Sequence, residues 1–103
     1  MEERTCDIIV LGGGPAGMTA AIYAKRANLD VVPLETNVTG GLVNSTYTVE
    51  NFPSYPEIHG MALMETMRGH VDHMGAAVAE VFQVTGLELG ADETHVRGDG
   101  TLS

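Results

Sequence analysis

The sequence predicts a three-layer α/β fold with a parallel sheet, and two observations near the N-terminus indicate it. The run from Asp7 to Leu11, apolar after its first residue, breaks into glycines, and apolar residues at helical spacing follow as far as Ala24. A second apolar run covers Val31 to Leu34, after Lys25, Arg26 and Asn28, which are typical of a helix end. Strand, helix and strand in this order form a βαβ unit, whose two strands run parallel.

The loop between the first strand and the helix has the glycine spacing of a phosphate-binding turn. Gly12, Gly14 and Gly17 fit the pattern G-x-G-x-x-G. The first glycine makes the tight turn, the second lets the backbone approach a pyrophosphate, and the third lets helix and strand pack closely. Pro15 suits the first helical position because it has no N–H to leave unpaired. The free N–H groups of the helix start then face an anion, which predicts a Rossmann-like dinucleotide site.

An acidic residue closes the second strand at the position where dinucleotide-binding domains hold a ribose. Glu35 stands about 20 residues after the glycines, so its carboxylate can accept hydrogen bonds from both hydroxyls of an adenosine ribose. The following loop, Thr36 to Val43, is rich enough in glycine to approach a ligand. These residues predict an adenine dinucleotide site, and the alternative is a tight turn in an α/β domain without a ligand.

These motifs together resemble the start of bacterial and archaeal thioredoxin reductases. The resemblance rests on the run from Gly12 to Ala24, on Gly40-Gly41, and on the segment from Val49 to Pro53. It covers roughly the stretch from Asp7 to Leu89. It implies a Rossmann-like FAD-binding domain rather than an NAD-binding one, with residues 1–103 as the N-terminal portion of that domain.

The resemblance also implies which residues contact FAD. Glu35 would hold the adenosine ribose, Gly40-Gly41 would lie by the pyrophosphate and the flavin, and Asn51 would touch the edge of the isoalloxazine ring. The family usually has glutamine where this sequence has Leu42, so we expect either an altered flavin potential or affinity, or another arrangement around the ring. The predicted cofactor-binding residues are Gly12, Gly13, Gly14, Pro15, Ala16, Gly17, Glu35, Thr36, Gly40, Gly41, Leu42, Val43 and Asn51.

The composition argues against several kinds of partner and site. Fourteen acidic and five basic residues give a formal net charge of −9, which argues against nucleic acid and anionic membranes as partners. No apolar run reaches the roughly 18 residues that a membrane span needs. Cys6 is the single cysteine, so the chain has no internal disulfide and no Cys-x-x-Cys centre. A lone cysteine suits a reducing compartment, and we expect the cytoplasm.

Three further features lie outside the glycine motif. Pro33 interrupts the second strand, so either its missing N–H faces away from a partner strand or the strand is distorted. A second helix is predicted from Gly60, ending near Gly75. Methionines and a valine at helical spacing predict its buried face: Met61, Met64, Met67, Val71 and Met74. His70 and His73 lack further convergent ligands, so no metal site is expected.

The last quarter of the chain is rich in β-prone residues. Runs at 76–81 and 82–89 and the segment from Thr94 to Arg97 predict strands, and Gly98-Asp99-Gly100 predicts a turn. The resemblance implies a β-meander here, followed in the family by another parallel strand, an NADPH domain and a Cys-x-x-Cys. None of these occurs in the sequence, so we expect an N-terminal fragment of a longer protein or a truncated product, incomplete at its C-terminus.

The resemblance implies a flavoprotein that relays electrons from NADPH through FAD to the disulfide of a thioredoxin-like partner. Exposed surface is compatible with dimerisation, so a homodimer is a further expectation. The chain alone is not expected to turn over disulfides. Two alternatives remain: a related flavin reductase that uses ferredoxin or NAD(P)H without a dithiol, and a non-catalytic module that binds an adenine nucleotide or a protein.

Overall fold

The computed structural model describes residues 3–37, 39–45 and 48–102 and contains two two-stranded sheets. Along the chain the elements are β1 (Ile8–Leu11), α1 (Pro15–Arg26), β2 (Val31–Leu34), a 3-10 helix (Gly41–Ser45), α2 (Gly60–His73), β3 (Gln83–Leu89) and β4 (Thr94–Asp99). Strands β1 and β2 are parallel, and β3 and β4 are antiparallel. The βαβ unit that the sequence predicts is therefore confirmed.

The residues at the ends of α1 explain its length. Pro15 begins the helix, and Lys25 and Arg26 form its last turn, where positive charge suits the helix dipole. Asn28 then adopts a left-handed conformation with φ of 61°, and its N–H donates to the carbonyl of Lys25. Leu29 N–H donates to the carbonyl of Ala24. This pattern stops the helix and turns the chain into β2.

The parallel sheet lies between a helical layer and the hairpin of β3 and β4. Val31 packs with buried residues of α1 and α2, such as Met18 and Val71. Val32 and Leu34 pack on the opposite face with Phe82, where Val84 and Val96 of the hairpin also contribute. Side chains alternate between the two faces of a strand, so β2 supplies both cores. The three-layer α/β architecture is confirmed.

Helix α2 confirms part of the predicted methionine face. Met64 and Val71 are buried, but Met61 is 50% exposed and Leu63 is buried in its place. Met61 lies about 60° around the helix axis from Met64, which puts it at the margin of the buried face. The prediction for Met61 was wrong for this reason. Gly75 follows the helix with φ of 84°, as the predicted cap requires.

Pro33 leaves the pairing of β1 and β2 regular, with Val10 opposite Pro33. Its carbonyl accepts a hydrogen bond of 2.9 Å from the N–H of Ala79, on the side of β2 away from β1. The N–H and carbonyl of one strand residue point to the same side, so the donor that proline lacks also faces away from β1. Of the two arrangements that the sequence allows, the structure therefore shows the first, in which the missing N–H of Pro33 faces away from the partner strand.

The C-terminal region differs in extent from the strands predicted for it. In the described residues, the segment 76–81 contributes one isolated bridge, between Leu34 and Ala79, instead of a strand. Strands β3 and β4 form a hairpin with Leu89 opposite Thr94. This hairpin is the part of the predicted meander that the described residues contain. None of the described helices is long and apolar enough to cross a membrane.

Candidate functional site

The glycine turn after β1 is built around backbone contacts that a side chain would block. Gly12 has φ of 118°, and its N–H donates to the carbonyl of Leu34 at 2.8 Å. A Cβ added at Gly17 would overlap the carbonyl oxygen of Gly12. Helix α1 therefore approaches the turn as closely as its backbone allows, which is the role that the sequence predicts for the third glycine.

The start of α1 offers backbone donors to a ligand. Gly14 is the N-cap and provides no side chain to cap the helix, and the first turn contains no acidic residue. Pro15 occupies the start of the first turn, followed by the exposed Ala16. The first N–H groups of a helix have no partner within the helix, and the dipole favours negative charge there. The arrangement can bind a phosphate group.

Glu35 lies directly after β2 beside the first glycine turn. Gly13 N–H donates to Oε1 and Asn37 N–H donates to Oε2, both at 2.8 Å. These two bonds fix the carboxylate, and each oxygen keeps a lone pair for a further donor. A Cβ added at Gly13 would lie 3.0 Å from the Cβ of Glu35, so a glycine suits this contact. Thr36 is exposed next to Glu35.

The second pair of glycines packs against the first turn. Gly40 and Gly41 have φ of 115° and 57°, and Gly40 N–H donates to the carbonyl of Gly13 at 2.7 Å. A Cβ added at Gly41 would lie 3.8 Å from the Cα of Gly14. A Cβ at Gly40 would come within 2.7 Å of the Met64 side chain. The structure thus brings together two glycine turns that are distant in sequence.

A cleft of about 320 Å³ opens beside these turns. It is lined by Pro15, Val43, Thr48, Val49, Glu50, Asn51, Phe52, Leu63 and Met64. Three predicted site residues, Pro15, Val43 and Asn51, therefore share one cleft. The side chain of Leu42 lies outside the described part of the chain. Phe52, Leu63 and Met64 were not predicted as site residues, because apolar spacing indicates burial without showing which residues border a cleft.

The glycines fit the pyrophosphate of a dinucleotide. A Cβ at Gly12 would have no atom within 4 Å, and Cβ atoms at Gly14 and Gly41 would have neighbours no closer than 3.9 Å and 3.8 Å. These three glycines leave a space that side chains would fill. Glu35 lies beside this space, and the cleft that includes Asn51 begins at Pro15, so the donor set suits an elongated nucleotide.

A segment after α2, residues 79–82, holds the loop that follows β2. Glu35 N–H donates to the carbonyl of Ala79 at 2.9 Å, and Phe82 N–H donates to the carbonyl of Glu35 at 2.8 Å. Val81 N–H donates to the carbonyl of Asn37 at 2.9 Å. The β-prone runs predicted here did not indicate this contact, since no local pattern identifies a partner about 45 residues away.

The comparison with known proteins extends over almost the whole chain. Residues 6–102 match the family described as pyridine nucleotide-disulphide oxidoreductase. A 34.2 kDa protein in the rubredoxin operon of Clostridium pasteurianum is 41% identical over 101 residues, which cover 98% of this chain and 33% of that protein. Thioredoxin reductase of Bacillus subtilis is 44% identical over 78 residues, which cover 76% of this chain and 25% of that protein.

Solved structures agree with the sequence relatives. Thioredoxin reductase of Lactococcus lactis superposes with a TM-score of 0.87 at 36% identity, covering 92% of this chain and 31% of that one. The chain spans about a third or less of the length of these relatives. The family match, the identities and the shared fold lead to one conclusion: the chain belongs to the pyridine nucleotide-disulphide oxidoreductase family and resembles the thioredoxin reductases within it.

Proposed function

We propose that this chain, residues 1–103, is the N-terminal portion of the FAD-binding domain of a thioredoxin-reductase-like flavoprotein. The full-length protein would relay electrons from NADPH through FAD to the disulfide of a thioredoxin-like partner. The observation that carries the proposal is the contact between two glycine turns at the uncapped start of α1, with Glu35 fixed beside them. The sequence has one cysteine, so the dithiol of this reaction would come from elsewhere.

Each part of the site has a separate role in this proposal. The N–H groups at the start of α1 would bind the pyrophosphate, and the carboxylate of Glu35 would accept hydrogen bonds from the adenosine ribose. The cleft lined by Phe52 and Leu63 would exclude water from the isoalloxazine ring, and Asn51 would donate to its polar edge. Bound FAD would supply the two-electron redox chemistry.

The experiment that tests the proposal is titration with FAD and with ADP, using the Gly14→Val variant. Gly14 has φ of −79°, which any residue adopts, and a Cβ there would lie 3.9 Å from the nearest atom, so the backbone of the free chain accepts a side chain at this position. Valine would fill the space between the two glycine turns, so we expect Gly14→Val to lose at least tenfold in affinity for both ligands, a loss of about 1.4 kcal/mol.

Gly69→Ala is the matched control, because Gly69 is exposed in α2 and an added Cβ meets no atom within 4 Å. It should bind both ligands like the wild type, and circular dichroism should show that both variants are folded. Uptake of FAD by Gly14→Val at wild-type affinity would refute the site. Tight binding of ADP without any preference for FAD would instead favour the non-catalytic nucleotide-binding alternative.

The proposed partners are tested on the full-length protein. A thioredoxin-like protein should be reduced in the presence of NADPH, and light scattering should give the mass of a homodimer. If ferredoxin reduces the bound flavin and NADPH is not required, the related flavin reductase is favoured.

A further inference from the structure

We propose that Glu80 is a positioning residue that holds the Gly40–Gly41 turn in place for the flavin half of FAD. This role rests on the proposed function, since it concerns the same site. The carboxylate of Glu80 does not border the cleft, and its effect on the ligand would pass through the backbone of Thr39.

Both oxygens of Glu80 have partners on different elements. Oε2 accepts a hydrogen bond of 2.5 Å from the N–H of Thr39, and Oε1 lies 2.7 Å from Nη1 of Arg68 on α2. The Glu80 side chain is 19% exposed and that of Arg68 is 46% exposed. Glu80 therefore connects helix α2 to the residue that immediately precedes Gly40. Partial burial strengthens both interactions relative to an exposed pair.

The other backbone group of Thr39 is also held by a side chain. Asn44 Nδ2 donates to the carbonyl of Thr39 at 2.8 Å, and Gly40 N–H donates to the carbonyl of Gly13 at 2.7 Å. Thr39 itself is buried. Three consecutive backbone groups at the entrance of the glycine turn thus have fixed partners, one of which is the carboxylate of Glu80.

A pair of glycines needs such anchoring more than other residues do. Gly40 and Gly41 both have positive φ, and glycine loses more conformational freedom on ordering than any other residue. A turn that is already ordered in the free chain binds a ligand more tightly, because less conformational entropy is lost on binding. The carboxylate of Glu80 would supply this order at Thr39, one residue before the turn.

The adenosine end of the site is anchored independently of this carboxylate. Glu35 is held by main-chain bonds to Ala79 and Phe82, and its own carboxylate is held by the N–H groups of Gly13 and Asn37. None of these bonds involves the Glu80 side chain. Loss of that carboxylate should therefore weaken binding of the flavin half and leave the adenosine half nearly unchanged.

The Glu80→Gln variant tests this difference with FAD and with adenosine, which lacks the pyrophosphate that Gly41 would border. We expect the Kd of FAD to rise about tenfold, because a charge-assisted hydrogen bond and the Arg68 ion pair are both weakened. The Kd of adenosine should stay within about threefold of wild type. Removing a negative charge near an anionic ligand would by itself tighten binding, so the expected change is opposite to a general charge effect.

Glu88→Gln is the matched control, because it removes the same charge from a 68% exposed carboxylate that pairs with Arg97 on the hairpin. It should bind both ligands like the wild type. A readout without ligand is amide hydrogen exchange in the free protein, where Thr39 and Gly40 should exchange faster in Glu80→Gln. Arg68→Gln, which keeps the acceptor for Thr39, should give a smaller loss of FAD affinity and serves if Glu80→Gln does not fold.

The outcomes separate the two proposals. If the full-length wild type binds FAD and Glu80→Gln binds it as tightly, or loses FAD and adenosine equally, the positioning role is refuted while the nucleotide site stands. If the full-length wild type binds neither ligand, the proposed function fails and the positioning role fails with it. A selective loss of FAD affinity, together with faster exchange at Thr39, supports the role of Glu80.

Discussion

Replacing Gly17 by alanine tests whether the close contact between α1 and the first glycine turn stabilises the fold. An added Cβ would overlap the carbonyl oxygen of Gly12, and it would lie 2.9 Å from the carbonyl carbon of Gly12 and 3.2 Å from Cγ1 of Val10. The main obstacle is backbone, which cannot rotate away as the end of a long side chain can. Helix α1 must therefore move away from β1 to accept the methyl group.

The expected loss follows from two opposing effects. Overpacking costs about 1–3 kcal/mol, and an overlap with backbone belongs at the upper end of that range. Replacing glycine by alanine inside a helix contributes about 1 kcal/mol in the opposite direction. The free energy of unfolding should therefore fall by about 2 kcal/mol in Gly17→Ala. In a domain of this size, such a loss lowers Tm by roughly 8–16 °C.

Gly69→Ala provides the comparison, because it makes the same substitution in α2 at an exposed position where the added Cβ meets no atom within 4 Å. Its free energy of unfolding should rise by about 0.5–1 kcal/mol. Urea unfolding followed by circular dichroism measures both variants, and a constant m-value shows that the change lies in stability. If Gly17→Ala is as stable as the wild type, or shifts in the same direction as Gly69→Ala, the close contact with Gly12 does not stabilise the fold.

Three other perturbations test local features. Val81→Gly should raise the free energy of unfolding by about 1 kcal/mol, because a β-branched residue with φ of 55° is strained and its side chain is 70% exposed; a lower Tm would contradict this. Thr39→Val should also raise the free energy of unfolding by about 1 kcal/mol, because the buried hydroxyl of Thr39 has no hydrogen-bond partner in the described structure. Urea unfolding measures the change, and a lower stability of Thr39→Val would show that the hydroxyl does have a hydrogen-bond partner. Burial raises the pKa of the Cys6 thiol above its ordinary value of 9.0, so the folded chain favours the neutral thiol. The stability that comes from keeping the thiol neutral is fully present below the ordinary pKa and is lost as pH rises through the folded pKa. The free energy of unfolding of the wild type should therefore decline at alkaline pH. Urea unfolding as a function of pH should show a smaller decline for Cys6→Ser.

The parts of the site that the sequence predicted depend on the residue itself or on short spacing. Glycine is favoured at position 17 because an added Cβ would overlap the carbonyl oxygen of Gly12, and a proline at position 15 is compatible with a helix start because it lacks an N–H. Glu35 was identifiable by its distance from the glycines. Each of these signals is local, so each could be read without knowing the tertiary structure.

The parts that the sequence did not predict depend on long-range packing. Arg68 and Glu80 are residue types common on any surface. Arg68 pairs with Glu80, and the contact of Glu80 with the loop spans 41 residues from Thr39. The exposure of Met61 likewise depends on where α2 lies against α1, since its spacing from Met64 puts it at the margin of the buried face. In both cases the residue type alone does not determine what the residue contacts in the folded chain.

The two ends of the proposed site, at Glu35 and at the Gly40–Gly41 turn, are held by different kinds of hydrogen bond. The backbone at Glu35 is fixed by main-chain hydrogen bonds, which most substitutions leave intact. The entrance of the Gly40–Gly41 turn is fixed by the side chains of Glu80 and Asn44, which a single substitution can remove. A single substitution can therefore change the Gly40–Gly41 turn of the proposed site without altering the main-chain bonds at Glu35. Leu42, at a position where the resemblance to thioredoxin reductases implies glutamine, belongs to this second part.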